Sequence, residues 1–95
     1  MGCIQPTHTY QVYTIEQVAK HNIEGDLWII INDNVYDVTK FLKQHPGGKL
    51  PFVNNAGEDV SHIIKMFRSH QTNSVRKKLS TMMIGKIEKK SKKQK

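Results

Sequence analysis

Cysteine and long apolar runs are almost absent from this chain. Cys3 is the single cysteine among 95 residues, which excludes an internal disulfide and any zinc or iron–sulfur site built from several thiolates. No stretch approaches the roughly 18 apolar residues of a membrane-spanning helix, and no secretory signal is present. These absences predict one small cytoplasmic domain, a monomer with no transmembrane anchor.

Acidic residues are also scarce, with eight Asp and Glu against fifteen Lys and Arg, and the net charge is +7. Residues 1–39 carry −4, residues 40–59 carry +1, and residues 60–85 and 86–95 carry +5 each. We expect a flexible leader at residues 1–9, a folded domain at 10–87 and a disordered Lys-rich tail at 88–95.

The sequence lacks the patterns of two functional classes. A dedicated nucleic-acid binder interleaves aromatic residues with its basic patch, but Phe67 is the one aromatic residue in the basic segment 60–85 and is expected to point inward. No specific nucleic-acid partner is therefore predicted. No nucleophile–base pair, carboxylate dyad or nucleotide-binding glycine loop occurs either, so the domain alone is predicted not to be an enzyme.

Local patterns predict an α+β fold with a small mixed sheet. Thr14 to Gln17 form a capping box at the start of a short helix. The β-branched run Leu27–Ile31, a turn at Asn32–Asn34 and the run Val35–Val38 predict a hairpin. Four short helical segments and a last strand at Met83–Ile87 follow. The helices are expected to pair around a pocket over the sheet.

Two of the five histidines stand at loop–helix junctions, 25 residues apart. His45 is followed by Pro46, Gly47 and Gly48, and a proline restricts the preceding residue to extended conformations. With His70 across an apolar stretch, the expected ligand is a flat metal macrocycle held from both faces. From spacing alone, a turn histidine and an exposed histidine remain the alternative. His62 lies opposite the apolar stripe of its helix, and His8 and His21 are expected to be solvated.

The order of motifs resembles the cytochrome b5 family over about 75 of the 95 residues. The resemblance rests on segments spread along the whole chain: Tyr13-Thr14-Ile15-Glu16, Trp28-Ile29-Ile30, Val35 to Leu42, His45-Pro46-Gly47-Gly48, Ala56-Gly57-Glu58-Asp59, His70 and Ile84-Gly85-Lys86-Ile87. It implies non-covalent haem b with His45 and His70 as axial ligands. Covalent attachment is excluded directly, because no Cys-x-x-Cys-His occurs. The pocket residues implied by the resemblance are Phe41, Pro46, Gly47, Phe52, Ile64, Phe67, Gln71, Met83 and Ile84.

The resemblance also implies a function. The chain is expected to carry one electron between an NAD(P)H-dependent flavin reductase and an acceptor protein. Microsomal relatives surround the haem edge with acidic residues, whereas basic residues are expected around the mouth here: Lys49, Lys65, Arg68, Arg76, Lys77 and Lys78. We therefore expect the acceptor protein to have an acidic docking face.

Departures from the family pattern leave an alternative open. The segment between Ala56 and His70 is one residue longer than in microsomal members, and Gln71 replaces a serine that commonly binds a haem propionate. Ile64 stands where an aromatic residue is common. A haem sensor or carrier whose second histidine can be displaced is the alternative function that these differences suggest.

Overall fold

The computed structural model describes residues 11–88, which contain five strands and six short helices. The strands are β1 (Gln11–Tyr13), β2 (Asn22–Ile23), β3 (Asp26–Ile31), β4 (Asn34–Asp37) and β5 (Met83–Ile87). The helices are α1 (Ile15–Ala19), a first 3₁₀ helix (Thr39–Gln44), α2 (Leu50–Asn54), α3 (Ser61–Met66), a second 3₁₀ helix (Arg68–Gln71) and α4 (Asn73–Met82). The α+β class is confirmed. The predictions for the leader, His8 and residues 89–95 lie outside the described residues.

The strands form one mixed sheet in the order β1-β5-β4-β3-β2, with β1 parallel to β5 and the other neighbours antiparallel. The predicted hairpin joins β3 to β4. Its turn places Asn32 and Asp33 at φ of 51° and 67°, a left-handed conformation that Asn and Asp tolerate better than most residues.

Alternating residues of β3 pack against opposite faces of the sheet. Leu27, Ile29 and Ile31 belong to one buried cluster, which the residues of α2, α3 and α4 partly cover. Ile30 belongs to the other cluster with Val18 of α1, and Trp28 packs against it. A period of two residues is what a strand with two buried faces requires. The sheet therefore separates a helix-covered face from a second, closed face.

The second face shows that His21 is more than a solvated side chain, which corrects the prediction. Its ring stacks on Trp28 with 3.5 Å between centroids, and Nδ1 lies 2.8 Å from a carboxylate oxygen of Asp26. Tyr13 contacts the same indole edge-on at 4.9 Å. The helix before this cluster begins with the predicted capping box, in which Thr14 and Gln17 exchange side-chain and backbone hydrogen bonds.

Two attachments to β3 hold the helices of the other face in place. The Thr39 hydroxyl accepts the Leu27 N–H at 2.8 Å and donates to Asp37, so the first 3₁₀ helix starts against the strand. Further along the chain, the segment before α3 pairs with Ile30, which accepts from the Val60 N–H at 2.8 Å. The first 3₁₀ helix with α2 forms one helix pair, and α3 with α4 forms the other. The two pairs stand on opposite sides of one opening.

Candidate functional site

A cavity of about 600 Å³ lies between the sheet and the helices on this face. Its floor is formed by Ile29 and Ile31 of β3 and by Val38. The two helix pairs form its walls. This volume falls within the range of about 300–1,000 Å³ that is typical of small-molecule and cofactor sites. His45 lines the cavity from one helix pair, and His70 lines it from the other.

The side chain of His45 is fixed by the Pro-Gly-Gly turn. The backbone of His45 is extended (φ −71°, ψ 124°), as the following proline predicts. Nδ1 lies 2.8 Å from the carbonyl oxygen of Gly48. Because a carbonyl can only accept, Nδ1 carries the proton, and Nε2 of the neutral ring keeps a free lone pair. His45 is therefore held in the tautomer that a metal ligand needs.

Both glycines of this turn have a structural reason to be glycine. Gly48 has φ of 89°, a conformation that side chains disfavour, and its carbonyl is the one that accepts from His45. A Cβ on Gly47 would lie 3.1 Å from Cε1 of His45, closer than most side-chain contacts. Any side chain at position 47 would therefore crowd the ring of His45.

His70 is held differently. It sits in the second 3₁₀ helix, where its backbone N–H donates to Phe67 at 3.0 Å. Its Nδ1 is buried, yet it has no hydrogen-bond partner within residues 11–88. A buried polar group without a partner costs about 1–3 kcal/mol. The conformation of this ring is therefore not explained by contacts with the protein alone.

The two imidazole rings face each other across the cavity. Their centroids are 6.2 Å apart and their planes differ by 15°. Metal–nitrogen bonds of about 2.0–2.1 Å, with about 1.1–1.2 Å from nitrogen to ring centre, would place two imidazoles on one metal about 6.2–6.6 Å apart. The observed distance of 6.2 Å between the ring centres falls at the lower end of that range.

The structure places most of the predicted pocket residues around these rings. Phe41, Pro46, Gly47, Phe52, Ile64 and Phe67 all line the cavity. Phe67 is nevertheless 49% exposed, so the expectation that it points inward is only partly met. Phe41 and Phe52 approach His45 edge-on, with centroids 5.9 and 4.7 Å from its ring.

Three predicted residues do not line the cavity. Met83 and Ile84 belong to β5. Met83 packs against the buried cluster of Leu27 and Ile29, and Ile84 packs on the second face of the sheet. Met82, at the end of α4, lines the cavity instead. The apolar spacing from Val75 and Leu79 suits Met82 and Met83 equally, and the end of α4 at Met82 separates the two. The Gln71 amide donates instead to the carbonyl of Ile64 at 2.8 Å.

Sequence reasoning missed the strand residues of the floor and several wall residues. The additional cavity residues are Ile29, Ile31, Val38, Pro51, Asn55, Val60, Ile63, Ser69, Val75, Lys78, Leu79 and Met82. The period-two pattern of β3 placed Ile29 and Ile31 on one face, but nothing in the sequence said that this face carries the helices.

Basic side chains surround one part of the opening. Lys78 lines the cavity, and its Nζ lies 5.5 Å above the ring of Phe41. Lys65, Arg68, Arg76 and Lys77 are exposed and form no ion pair within residues 11–88. Lys49 departs from the expectation, because it forms an ion pair with Glu24 at 2.7 Å. Of the six basic residues expected around the mouth, the five without an ion pair to a described residue therefore lie on the segments that flank His70.

Comparison with known proteins assigns the family. The family model described as "Cytochrome b5-like Heme/Steroid binding domain" matches residues 14–88. The chain belongs to the cytochrome b5 family. A solved structure titled "Cytochrome b5 of Ostreococcus tauri virus 2" is similar with a TM-score of 0.70 and 40% identity, over 80% of this chain and 95% of that one.

The curated relatives are longer than the matched region. A cytochrome b5 of Oryza sativa subsp. japonica is 49% identical over 51 residues, which cover 54% of this chain and 37% of that protein. An NADH nitrate reductase of Phaseolus vulgaris is 37% identical over 75 residues, which cover 79% of this chain and 8% of the enzyme. The family thus includes small cytochromes and segments of larger enzymes.

The cytochrome b5 relatives indicate haem b as the cofactor, and the residues of this cavity fit it. Within residues 11–88, no group of three or more His, Cys, Asp or Glu side chains could hold a metal ion. A metal between His45 and His70 would therefore need further ligands from outside the described residues, and the four nitrogens of a porphyrin supply them. A steroid would leave both imidazoles without a role. Haem uses both the apolar walls and the two facing rings.

The family and its cofactor make this a haem-binding domain of a class that generally carries electrons. Within the described residues, no helix is long and apolar enough to cross a membrane.

Proposed function

We propose that this chain is a one-electron carrier in which His45 and His70 are the two axial ligands of the haem iron. The observation that carries the proposal is the pair of near-parallel rings, 6.2 Å apart across an apolar cavity. When bound, the haem supplies the ferrous–ferric couple. While both imidazoles were bound, the iron would have no free coordination position for oxygen or substrate, so electron transfer is favoured over bond-making chemistry.

The role of His45 follows from its hydrogen bond to Gly48. Donation from Nδ1 fixes the ring direction and raises the basicity of Nε2, as outer hydrogen bonds do for metal-bound histidines. Phe41 and Phe52 pack edge-on against the same ring and restrict its rotation. A ligand held this firmly needs little rearrangement when the charge of the metal changes.

The apolar walls keep water away from the metal. Ile29, Ile31 and Val38 form a floor that offers no polar side chain, and Leu79 adds a further apolar side chain to the lining. Burial of this kind is one of the features that set a haem reduction potential. The chain itself is proposed to catalyse no bond-making step, and its cytoplasmic location stays a prediction.

The charge around the opening supports a partner with an acidic docking face. Lys65, Arg68, Arg76, Lys77 and Lys78 are exposed on the segments that flank His70 and include a cavity residue. Surface charges of one sign attract an opposite face and accelerate encounter, and salt weakens this effect. An NAD(P)H-dependent flavin reductase is proposed as the electron donor, and the acceptor protein is proposed to carry the acidic face.

Absorption spectroscopy tests the ligand assignment. The purified chain, supplied with hemin, is expected to give a sharp Soret band and, after dithionite, split low-spin α and β bands. His45→Ala and His70→Ala should each lose the low-spin spectrum. His62→Ala is the matched control, because His62 is exposed and outside the cavity, and its spectrum should be unchanged. A low-spin spectrum that survives His70→Ala would contradict the assignment.

Salt dependence tests the docking face. Reduction or oxidation by an acidic-faced partner protein should slow as ionic strength rises, and Lys77→Glu with Lys78→Glu should reduce both the rate and its salt slope. Lys20→Glu is the control, because Lys20 follows α1 on the other side of the sheet. A salt response that is equal in both variants would exclude this docking surface.

A further inference from the structure

The two histidines of the cavity are not equivalent. Nδ1 of His45 has a carbonyl partner at 2.8 Å, whereas Nδ1 of His70 is buried without one. An outer hydrogen bond orients a histidine ligand and strengthens its bond to the metal. Among the residues that the structure describes, none gives His70 this support.

The aromatic packing around the two imidazole rings differs in the same direction as their hydrogen bonds. His45 lies between the edges of two aromatic rings, Phe41 and Phe52. Of the described aromatic residues, only Phe67 contacts the ring of His70 apart from His45 itself, with 5.7 Å between centroids. Phe67 is 49% exposed, and the preceding Met66 is 71% exposed. The wall around His70 therefore offers less resistance to movement of the ring.

The side chain of Gln71 accounts for the missing partner. Its amide donates to the Ile64 carbonyl at 2.8 Å and lies 3.5 Å from the Phe67 carbonyl. The same Phe67 carbonyl also accepts the backbone N–H of His70. Gln71 thus engages the two carbonyls of Ile64 and Phe67 near His70, and neither of them accepts from the imidazole ring.

We propose that His70 is the exchangeable ligand of the pair, so that a small neutral ligand such as carbon monoxide can replace it while His45 stays bound. The proposal rests on the proposed function, because it assumes that both histidines ligate haem iron. Loss of an outer hydrogen bond weakens metal binding by about 10–100-fold. His70 should therefore dissociate about 10–100-fold faster than His45.

Carbon monoxide binding tests which ligand leaves. The hemin-loaded, dithionite-reduced protein should bind carbon monoxide with a shift of the Soret band. The spectrum and the dissociation rate of that complex should coincide with those of His70→Ala, which retains only His45, and differ from those of His45→Ala. A low-spin haem protein that binds no carbon monoxide, or a complex that matches His45→Ala, would overturn this proposal alone. Failure to bind hemin would instead overturn the proposed function.

Nuclear magnetic resonance of the haem-free protein gives a second readout that does not depend on loading the variants. The imidazole N–H of His45 should be observed as a single Nδ1–H tautomer that exchanges slowly with water. The His70 ring should exchange faster, and exposed His62 serves as the reference for an unrestrained ring. Equal protection of the His45 and His70 ring protons would contradict the asymmetry and overturn the proposal.

Discussion

The two faces of the sheet are completed in different ways. On the face of Val18 and Trp28, protein side chains close the packing, and Val18 and Val35 have no exposed surface. On the other face, α2, α3 and α4 contain no buried residue, because they surround a cavity of about 600 Å³. One face is packed by protein side chains alone, while the helices of the other face surround a space that the protein does not fill. Haem b is therefore expected to stabilise mainly the helices.

The largest loss in the free energy of unfolding should come from truncating a buried strand residue rather than a residue that lines the cavity. Leu27 has no exposed surface, so Leu27→Ala should lower the free energy of unfolding by about 2–5 kcal/mol with or without haem. Phe52→Ala removes a larger side chain but faces an existing cavity, so the haem-free protein should lose less and haem affinity should fall. Urea unfolding with and without hemin measures both. Equal losses in the haem-free protein would show that the wall of the cavity is packed as tightly as the closed part of the core that holds Leu27.

Haem binding should sharpen the contrast between the faces. A ligand that binds only the folded state stabilises it by about 2.7 kcal/mol at a concentration 100 times its dissociation constant. Hydrogen exchange should show protected amides in β3 and β4 without haem, while those of α3 and α4 become protected only after hemin is added. Helices that are equally protected in both states would show that the cavity face is complete without its cofactor.

A glycine substitution tests how tightly the edge of the sheet is packed. A Cβ on Gly85 would lie 2.5 Å from the backbone oxygen of Gln11, so Gly85→Ala must move β1 away from β5. We expect a loss of about 1–3 kcal/mol, the usual cost of overpacking. Gly25→Ala is the control, because a Cβ at position 25 would meet nothing within 4 Å and the effect should be small. Thermal unfolding distinguishes the two.

The smallest effect should come from the stack on the closed face. His21→Ala removes the ring on Trp28 and the partner of Asp26, and should destabilise the protein by about 0.5–1.5 kcal/mol. The emission of Trp28, the single tryptophan, should change as well. His62→Ala should change neither quantity. Unchanged emission in His21→Ala would mean that the stack does not persist in solution.

Local chemistry explains why much of the fold could be predicted. The capping box at Thr14, the β3–β4 hairpin and the extended backbone of His45 depend on neighbours in sequence, and the structure has all three. The facing of His45 and His70 was expected from the resemblance and from their apolar surroundings. The contacts among residues far apart in sequence were harder to predict. The stack of His21 on Trp28 and the ion pair of Lys49 with Glu24 depend on how separate elements meet.

The differences between the expected and the observed lining of the cavity have the same origin. Met82 and Met83 are adjacent, and the end of α4 falls between them, so a one-residue boundary decides which one faces the cavity. Gln71 was expected at the haem because it occupies the position of a serine that commonly binds a propionate, yet its amide donates to the carbonyl of Ile64. Side-chain hydrogen bonds of this kind leave no periodic signal in a sequence.

The parallel pairing of β1 with β5 brings the two ends of the domain to one border of the sheet. Gln11 lies beside Gly85 and Tyr13 beside Ile87, so the polypeptide enters and leaves through neighbouring strands. Because β1 and β5 run in the same direction, the chain enters at one end of this border and leaves at the other. Additional protein fused at either end would attach beside β1 and β5, while the two histidines are carried by the helices between β4 and β5.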